Sequence, residues 1–511
     1  MTKFCGARRA HRGFMAVVFA SLSLLAGPAQ AQEAAQDGMI AGLVANTLGP
    51  FGNWLASWVF ATVNIGGVDL ELIVLWLALP MLIFTVYMGF VNFKPSAFKH
   101  AWKIVRGDYR DDSAPGEVSQ FQALTTALSG TVGLGNIGGV AIAIAMGGPG
   151  ATFWMIIIGL MAMSLKFVEC TLGVKYREVH ADGTVSGGPM YYLKNGLAKR
   201  GLVKLGIVLS AAYAFFAVFS LLQFIQVNQA YSQFSSVTGF DNGFAFGLTL
   251  AVLVAVIIFG GIATIGRVTE KLVPIMGGLY IVAALVIIGV HISDVPTALI
   301  TIFADAFSTD SIAGGIIGSF VVGMQRAVYS TEAGLGSATI AHAAAKTREP
   351  ISQGMLALME PFIDVVIIAT LTALVIVVTG TYTDPTLNDI QMTSAAFGSV
   401  ISWFPWVLAI AVLLFAFSTV VSWGYYVEKV WTYIFPDTHL SRRIFRLLFC
   451  VMLIPPSMMS VDQVVGFMDS IFFLMAVPNV LGLYFLAPEI KADLANYMAR
   501  VKSGELAEVK H

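Results

Sequence analysis

The feature that most constrains this chain is a glycine-rich run inside an apolar stretch long enough to cross a membrane. Residues 129–139 read Ser-Gly-Thr-Val-Gly-Leu-Gly-Asn-Ile-Gly-Gly, which disfavours a continuous helix because each glycine costs about 1 kcal/mol relative to alanine. In hydrocarbon, unwound backbone is tolerated only where it is buried in protein or lines a cavity. A second interrupted stretch at 323–336 repeats the Gly-Leu-Gly triplet at 334–336. Two broken helices in corresponding halves of a chain indicate a transport site near the bilayer midplane.

Composition indicates an all-α polytopic membrane protein. The 511 residues are 57% hydrophobic and only 12% charged, against about 25% charged in soluble domains. A net charge of −1 argues against nucleic-acid binding. Cys5, Cys170 and Cys450 suggest no disulfide framework, and the histidines lack metal-ligand spacing. We find no nucleophile–base pair, so we expect neither an enzyme nor an organic cofactor, and we predict no obligate protein partner besides membrane lipid.

Residues 1–31 resemble a secretory signal peptide. A basic start with Lys3, Arg8, Arg9 and Arg12 precedes a short apolar core and an Ala-Gln-Ala cleavage motif at 29–31. The alternative is an uncleaved first anchor. In either case, the chain that follows begins outside the cytoplasm.

Hydropathy over windows of about 20 residues predicts eleven membrane spans after this leader. Their approximate limits are 70–92, 119–146, 150–174, 205–232, 244–264, 271–291, 312–345, 355–380, 400–430, 444–458 and 463–487. The segment before them, 32–69, is expected to lie outside and to carry an interfacial helix at 39–62.

The distribution of basic residues predicts the orientation of these spans. Of the 29 Lys and Arg residues, four lie in the leader and two within spans, and the other 23 all fall on one side. Because cytoplasmic loops are enriched in Lys and Arg, we expect the N-terminus outside and the C-terminus in the cytoplasm. The predicted location is a bacterial cell (inner) membrane.

The spans also predict an internal symmetry. With 70–92 set aside as an accessory helix and 93–118 as a cytoplasmic segment, ten spans remain. They divide into five at 119–291 and five at 312–487, joined by an outer loop at 292–311 and followed by a cytoplasmic tail at 488–511. Because five is odd, the second set must be inverted, and each set begins with its broken helix. The alternative is that the glycines only allow close helix packing.

Several segments together resemble the alanine or glycine:cation symporter family, the sodium:alanine symporters. They lie at 126–139, 147–155, 166–177, 330–338 (Ser-Thr-Glu-Ala-Gly-Leu-Gly-Ser-Ala) and 417–426 (Phe-Ser-Thr-Val-Val-Ser-Trp-Gly-Tyr-Tyr). Thr152, Ile156 and Thr331 depart from the residues usual in that family, which leaves the exact substrate open. The resemblance implies a leucine-transporter-like fold.

A small amino acid is a zwitterion, so its site needs both donors and acceptors. Backbone amides at the break around Gly133, Gly135 and Asn136 suit its carboxylate, and Thr131 can add a hydroxyl or be bonded back to its own helix. The resemblance favours Gln226 as a substrate contact, and an interhelical hydrogen bond is the alternative. Each of Met324, Tyr329 and Trp423 alone is better explained as a core residue, but as a set they predict the walls of a small pocket.

The resemblance also implies a sodium site. Its ligands would be the hydroxyls of Ser418 and Thr419 and the carbonyls of Ser129 and Val132. The alternative for the two hydroxyls is bonding back to their own helix.

Charged residues within spans are functional candidates by default. Lys166 and Glu169 are expected to pair at i, i+3, and Arg326 and Glu332 to flank the second break as an ion pair. Glu360 and Asp364 share a helix face. None of these lies in the predicted ion site, which favours sodium over protons as the coupling ion.

Together these features predict sodium-coupled symport of alanine or glycine by alternating access. The alternatives are a proton-coupled or differently selective symporter of the same fold and, less favoured, a channel or uniporter.

Overall fold

The chain forms a bundle of helices, described by a computed structural model for residues 54–65, 68–221, 223–308, 315–387, 389–459 and 461–506. The predicted signal peptide lies outside the described residues. In chain order the helices are α1 Leu72–Tyr87, α2 Pro95–Arg106, α3 Gln120–Thr131, α4 Gly138–Gly147, α5 Gly150–Lys175, α6 at 189–199, α7 Val203–Val218, α8 Phe224–Thr238, α9 Gly243–Ile258, α10 Gly261–Val290, α11 Val295–Ala306, α12 Gly315–Thr331, α13 Ala338–Ala343, α14 Pro350–Val378, α15 Ile390–Val400, α16 Phe404–Ile434, α17 His439–Val451 and α18 Val461–Ser503.

Short elements join these helices. The 3₁₀ turns are Val91–Phe93, Leu134–Asn136, Phe219–Leu221, Thr381–Thr383 and Pro455–Met458, and π-helical segments occur at Tyr192–Gly196 within α6 and at Phe362–Ala369 within α14. Two antiparallel hairpins, β1 Thr62–Ile65 with β2 Val68–Glu71 and β3 Glu178–Val179 with β4 Val185–Ser186, are the strands in the described residues.

The prediction of an all-α polytopic membrane protein is confirmed. α5, α10, α14, α16 and α18 are each long and apolar enough to cross a membrane, and α3 with α4 forms one further bent span. Each remaining predicted span corresponds to a shorter helix or to a pair of helices. Several boundaries move, and the clearest is between α9, which ends at Ile258, and α10, which begins at Gly261, whose φ of +66° suits glycine.

Segments predicted as connections contain regular structure. In 32–69, the described part has a helical turn at 54–59 followed by the β1–β2 hairpin. The predicted outer loop at 292–311 contains α11, and α18 continues to Ser503 through most of the predicted tail.

α5 occupies the centre of the bundle because its small residues allow neighbouring helices to approach closely. A Cβ added at Gly159 would lie 2.6 Å from a methyl of Val365 on α14, and one at Gly173 would lie 2.9 Å from Thr339 on α13. Small residues at helix interfaces are how membrane bundles gain close packing. These two contacts pack α14 and the second broken helix closely against α5.

The basic segments predicted to be cytoplasmic meet at one end of the bundle. There the guanidinium of Arg177 donates to the carbonyls of Pro115, Ala343, Ala345 and Thr347 at 2.6 to 2.7 Å. Arg348 pairs with Asp111 at 3.1 Å, and Arg500 with Glu349 at 2.6 Å. At this end of the bundle, side chains from several segments contact the residues that follow α13.

Candidate functional site

The first predicted break is a real interruption of the helix. α3 ends at Thr131, Gly133 is fully extended (φ −143°, ψ −153°), and α4 begins only at Gly138. The two half-helices meet at a bend of 57°. Carbonyls at the end of α3 and amides at the start of α4 therefore lack helical partners and are available to other groups.

The second predicted break lies between α12, which ends at Thr331, and α13, which begins at Ala338. Gly334 and Gly336 have φ values of +89° and +73°, and Glu332 has a φ of +54°. The left-handed region is easy for glycine but costs other residues about 1 to 3 kcal/mol and is concentrated at functional sites. Glu332 is therefore held in place by its surroundings.

The two breaks touch each other in the interior of the bundle. The hydroxyl of Ser330 donates to the side-chain oxygen of Asn136, and Thr372 donates to the Asn136 carbonyl at 2.8 Å. A Cβ added at Gly135 would lie 3.3 Å from the ring of Tyr329. A side chain at Gly135 would therefore crowd Tyr329 at the point where the two breaks meet.

A small cavity lies between the breaks. Its walls are Gly130, Thr131, Gly135, Gln223, Phe224, Ile225, Gln226, Tyr329, Glu332, Trp423, Met468 and Phe472. Its volume is 10 Å³, on the order of what one water molecule requires. The cavity must therefore expand to admit even a small solute.

Five of the predicted substrate residues line this cavity: Thr131, Gly135, Gln226, Tyr329 and Trp423. Gly133 lies behind the wall, where an added Cβ would be 3.3 Å from the side-chain oxygen of Gln226. Asn136 instead links the two breaks, as described above, and its side-chain nitrogen has no hydrogen-bond partner among the described residues.

Met324 does not line the cavity. Its side chain is completely buried in the core, so its prediction as a pocket wall is not supported by its position. The prediction rested on the proximity of Met324 to the second break in sequence. In the structure, Met324 lies more than one helical turn before the end of α12.

One side of the cavity is an aromatic wall. Trp423 stacks on Phe472 with ring centroids 5.2 Å apart and an interplanar angle of 17°, and Tyr329 packs against the same ring at 5.3 Å. The Trp423 indole N–H donates to Glu332 at 2.9 Å. Phe472 and Glu332 were not among the predicted substrate residues. Phe472 comes from α18, and no local pattern distinguishes it from other core phenylalanines.

A third interruption was missed by the sequence analysis. The span predicted as continuous at 205–232 divides into α7 and α8, joined by a 3₁₀ turn at Phe219–Leu221. Gln223 donates to the Ser220 carbonyl at 2.5 Å, and the side-chain oxygen of Gln226 accepts from the Leu134 amide at 3.4 Å. No glycine or proline marks this break, so only the polar residues hinted at it.

A cluster of buried oxygen atoms lies beside the first break. The hydroxyl of Thr419 donates to the Ser129 carbonyl at 2.8 Å. The hydroxyl of Ser129 bonds with that of Ser422 and lies 3.5 Å from the Ser418 carbonyl. Ser129, Thr419 and Ser422 are each almost fully buried.

The predicted ion ligands are therefore only partly brought together. Ser129 and Thr419 meet directly, and Val132 directly follows the last residue of α3. The Ser418 hydroxyl donates instead to the Phe415 carbonyl at 2.9 Å and lies 3.4 Å from the sulfur of Met276, which is the back-bonded alternative. Ser422, one turn further along α16, takes the place next to Ser129 that was expected for Ser418.

Both predicted ion pairs within spans are wrong. Lys166 lies 3.3 Å from Glu360 rather than pairing with Glu169, whose carboxylate accepts from Asn479 at 2.6 Å. Arg326 pairs with Asp469 on α18 rather than with Glu332. Spacing along one helix cannot anticipate partners that come from other helices.

Folding also gathers a group of metal-ligating type that spacing did not reveal. Cys170, His342 and Glu360 have ligand atoms within 4.8 Å of one another. The Glu360 carboxylate is already engaged by both Lys166 and His342, so this group serves as a buried polar contact between α5, α13 and α14.

Comparison with known proteins agrees with this architecture. Residues 53–511 match the sodium:alanine symporter family. The sodium/alanine symporter AgcS of Methanococcus maripaludis is 36% identical over 416 residues, covering 80% of this chain and 90% of that protein. The probable sodium/glutamine symporter GlnT of Bacillus subtilis is 35% identical, covering 76% and 80%.

A solved structure shares the fold. The crystal structure of MhsT in complex with L-phenylalanine superposes with a TM-score of 0.53 at 14% identity, covering 73% of this chain and 89% of that one. The fold is thus the leucine-transporter-like fold that the sequence implied. With two broken helices around a small cavity and a family match over nearly all of its described length, this chain belongs to the sodium:alanine symporter family.

Proposed function

We propose that this protein is a secondary transporter that carries a small neutral amino acid, alanine or glycine, into the cell together with sodium. The observation that carries the proposal is the contact between Thr419 and the Ser129 carbonyl at the edge of the cavity. This contact joins the last turn of α3 to α16 through oxygen atoms alone. A cation bound there is in a position to set the shape of the neighbouring cavity.

The oxygen cluster suits sodium as the transported cation. Hard cations prefer oxygen ligands, and the carbonyl and hydroxyl of Ser129 lie with the hydroxyls of Thr419 and Ser422 in one buried cluster. The end of α3 adds the negative pole of a helix dipole, to which Val132 contributes its carbonyl. We assign the sodium site to Ser129, Val132, Thr419 and Ser422, with Ser418 contributing its carbonyl rather than its hydroxyl.

The substrate fits between the breaks as a zwitterion. Asn136 has a buried side-chain N–H group without a partner in the described residues, and the start of α4 offers free amides, so this side suits a carboxylate. Gln226 and the carbonyl end of α3 near Thr131 suit an ammonium group. Among the described residues that line the cavity, Glu332 is the one carboxylate, and it adds to the attraction for the ammonium.

The aromatic wall favours a small side chain. Tyr329, Phe472 and Trp423 pack against each other around a cavity of 10 Å³. Alanine or glycine requires less expansion of this cavity than a larger amino acid. The relative GlnT is named as a probable sodium/glutamine symporter, so the substrate of this chain must be tested directly.

The mechanism follows from the closure of both sides. One end is closed by Arg177 and the carbonyls around it, and Arg326 and Asp469 form an ion pair directly beside Tyr329 on the other side of the aromatic wall. Sodium and substrate bind from the outside, where few basic residues occur, and the loaded protein opens at the Arg177 end. This is alternating access with the C-terminus in the cytoplasm.

The test is uptake of labelled L-alanine into vesicles that contain the purified protein, under a sodium gradient and separately under a proton gradient. We expect accumulation with sodium. Thr419→Val, which replaces the hydroxyl by a methyl group, should raise the half-saturating sodium concentration about tenfold, since one lost ligand contact is worth roughly 1.4 kcal/mol.

Ser418→Ala is the matched control, because its hydroxyl points to Phe415 and Met276. It should leave the sodium requirement near that of the native protein. Accumulation driven by protons alone would favour the proton-coupled alternative, and equilibration without accumulation would favour a uniporter.

A further inference from the structure

Asp364 is a buried carboxyl group that the proposed transport site does not use. It lies in the π-helical segment of α14, is 0% exposed, and receives no well-formed hydrogen bond from the described residues, although the Thr131 hydroxyl interacts with it. Interruptions of this kind within an α-helix occur frequently at functional sites. Buried polar groups without a well-formed hydrogen bond are rare, so Asp364 needs a physical explanation.

The polar cluster around Asp364 contains more carboxyl groups than bases. Its members in the described part of the chain are Lys166, Glu169, Glu332, His342, Glu360 and Asp364. Lys166 and His342 both engage Glu360. Glu169 has a hydrogen bond from Asn479, and Glu332 has bonds from Trp423 and Ser337. Asp364 is left with no base of its own, and the hydroxyl of Thr131 is the one donor in the described residues that interacts with it.

An ionised carboxylate in this position would be strongly unfavourable. Removing a charge from water costs several kcal/mol unless it is paired and hydrogen-bonded. The charged groups that face Asp364 are Glu360 and Glu332, which repel a negative charge, and Lys166, which already pairs with Glu360. In this closed conformation, a bound proton is therefore the simplest way to neutralise Asp364.

Asp364 is separated from the cavity by a single side chain. Thr131 lines the cavity, and its hydroxyl interacts with Asp364 besides making long hydrogen bonds of 3.4 Å to the carbonyls of Ala127 and Leu128. Thr131 is the last residue of α3, beside the break. When the cavity opens to one side of the membrane, water that enters it is one residue away from Asp364.

We propose that Asp364 is a proton-binding site of the transport cycle, so that each substrate molecule enters with a proton as well as with sodium. A hydronium ion in the outward-open cavity gives its proton to an oxygen of Asp364 and leaves as water. In the inward-open form, a water molecule takes the proton back and Asp364 becomes a carboxylate again. This inference rests on the proposed sodium-coupled uptake and adds a second cation to it.

The test measures alanine uptake and internal pH in the same vesicles. Vesicles that contain the native protein and a trapped pH-sensitive dye are given an inward sodium gradient, with the membrane potential clamped by potassium and valinomycin. Addition of alanine should acidify the interior in proportion to the labelled alanine taken up. Asp364→Asn should remove the acidification, and Asp364→Glu should retain it.

Asp294→Asn is the control, since this aspartate is exposed and remote from the cluster, and it should acidify like the native protein. Sodium-driven alanine uptake by the native protein without acidification overturns the proton site and leaves the proposed function intact. Equal acidification by native and Asp364→Asn protein also overturns it. No sodium-driven uptake at all would instead reject the proposed function.

A second measurement covers the case in which Asp364→Asn does not fold. The heat of alanine binding to the purified native protein, measured in sodium-containing buffers with different ionisation enthalpies, gives the number of protons taken up on binding. A dependence on the buffer supports the proposal. Identical heats in all buffers would overturn it.

Discussion

The glycine at position 133 offers a quantitative test of the link between the first break and the sodium site. A Cβ added there would lie 2.8 Å from the hydroxyl oxygen of Thr419 and 3.3 Å from the side-chain oxygen of Gln226. Because Gly133 is extended rather than left-handed, alanine can adopt its backbone conformation. The effect of Gly133→Ala is therefore confined to these two contacts.

The expected magnitude follows from what Thr419 must give up. Moving its hydroxyl away from the Ser129 carbonyl costs about 1 kcal/mol for the hydrogen bond, and an unfavourable rotamer adds about 1 kcal/mol. A total of about 2 kcal/mol corresponds to roughly a 30-fold loss of sodium affinity. We expect the half-saturating sodium concentration for alanine uptake to rise by about that factor.

The assay is the initial rate of labelled alanine uptake into vesicles as a function of sodium concentration. Gly139→Ala is the matched control from the same segment, because its nearest neighbour to an added Cβ is the Leu134 carbonyl at 3.9 Å. That change should leave the sodium requirement unchanged. If Gly133→Ala behaves like Gly139→Ala, the reasoning that couples the break to Thr419 is wrong.

Three other experiments probe the remaining parts of the account. Trp423→Phe keeps the stack on Phe472 but removes the indole donor to Glu332; we expect weaker alanine binding by about 1 to 3 kcal/mol, and an unchanged affinity would contradict the role of this contact. Arg326→Met leaves Asp469 buried and unpaired and should destabilise the purified protein by about 3 to 5 kcal/mol in thermal unfolding, whereas adding Asp469→Leu should recover most of the loss. For the orientation, an impermeant thiol reagent applied to intact cells should label Asp294→Cys but not Arg200→Cys, and the reverse would invert the proposed topology.

The sequence predicted the fold and much of the site where local chemistry decides them. Five clustered glycines at 130–139 cannot form a continuous span, and the positive φ values at Gly334 and Gly336 explain why the second break needs the same triplet. The hydropathy that predicts a span and the basic residues that predict its orientation can likewise be read from each segment separately. Such features are visible without knowing which helices pack together.

The errors occurred where the outcome depends on tertiary contacts. Lys166 is close enough in sequence to pair with Glu169 on its own helix, but its amine lies 3.3 Å from the carboxylate of Glu360 on α14. Among the described residues, the other base that engages Glu360 is His342. Ser418 and Ser422 lie on the same face of α16, and only the packing of α3 decides that Ser422 meets Ser129. Phe472 lines the cavity although it belongs to α18, which lies at the opposite end of the second repeat in sequence from the second break.

The central claim is that sodium bound at Ser129 and Thr419 prepares the neighbouring substrate site. Binding of labelled alanine to the purified protein at equilibrium, with and without sodium, tests it most directly because two coupled sites must change each other's affinity. We predict that sodium increases alanine affinity in the native protein and in Ser418→Ala, and that the increase is largely lost in Thr419→Val at the same sodium concentration. Alanine affinity that is independent of sodium, or that responds equally in both variants, would contradict the account.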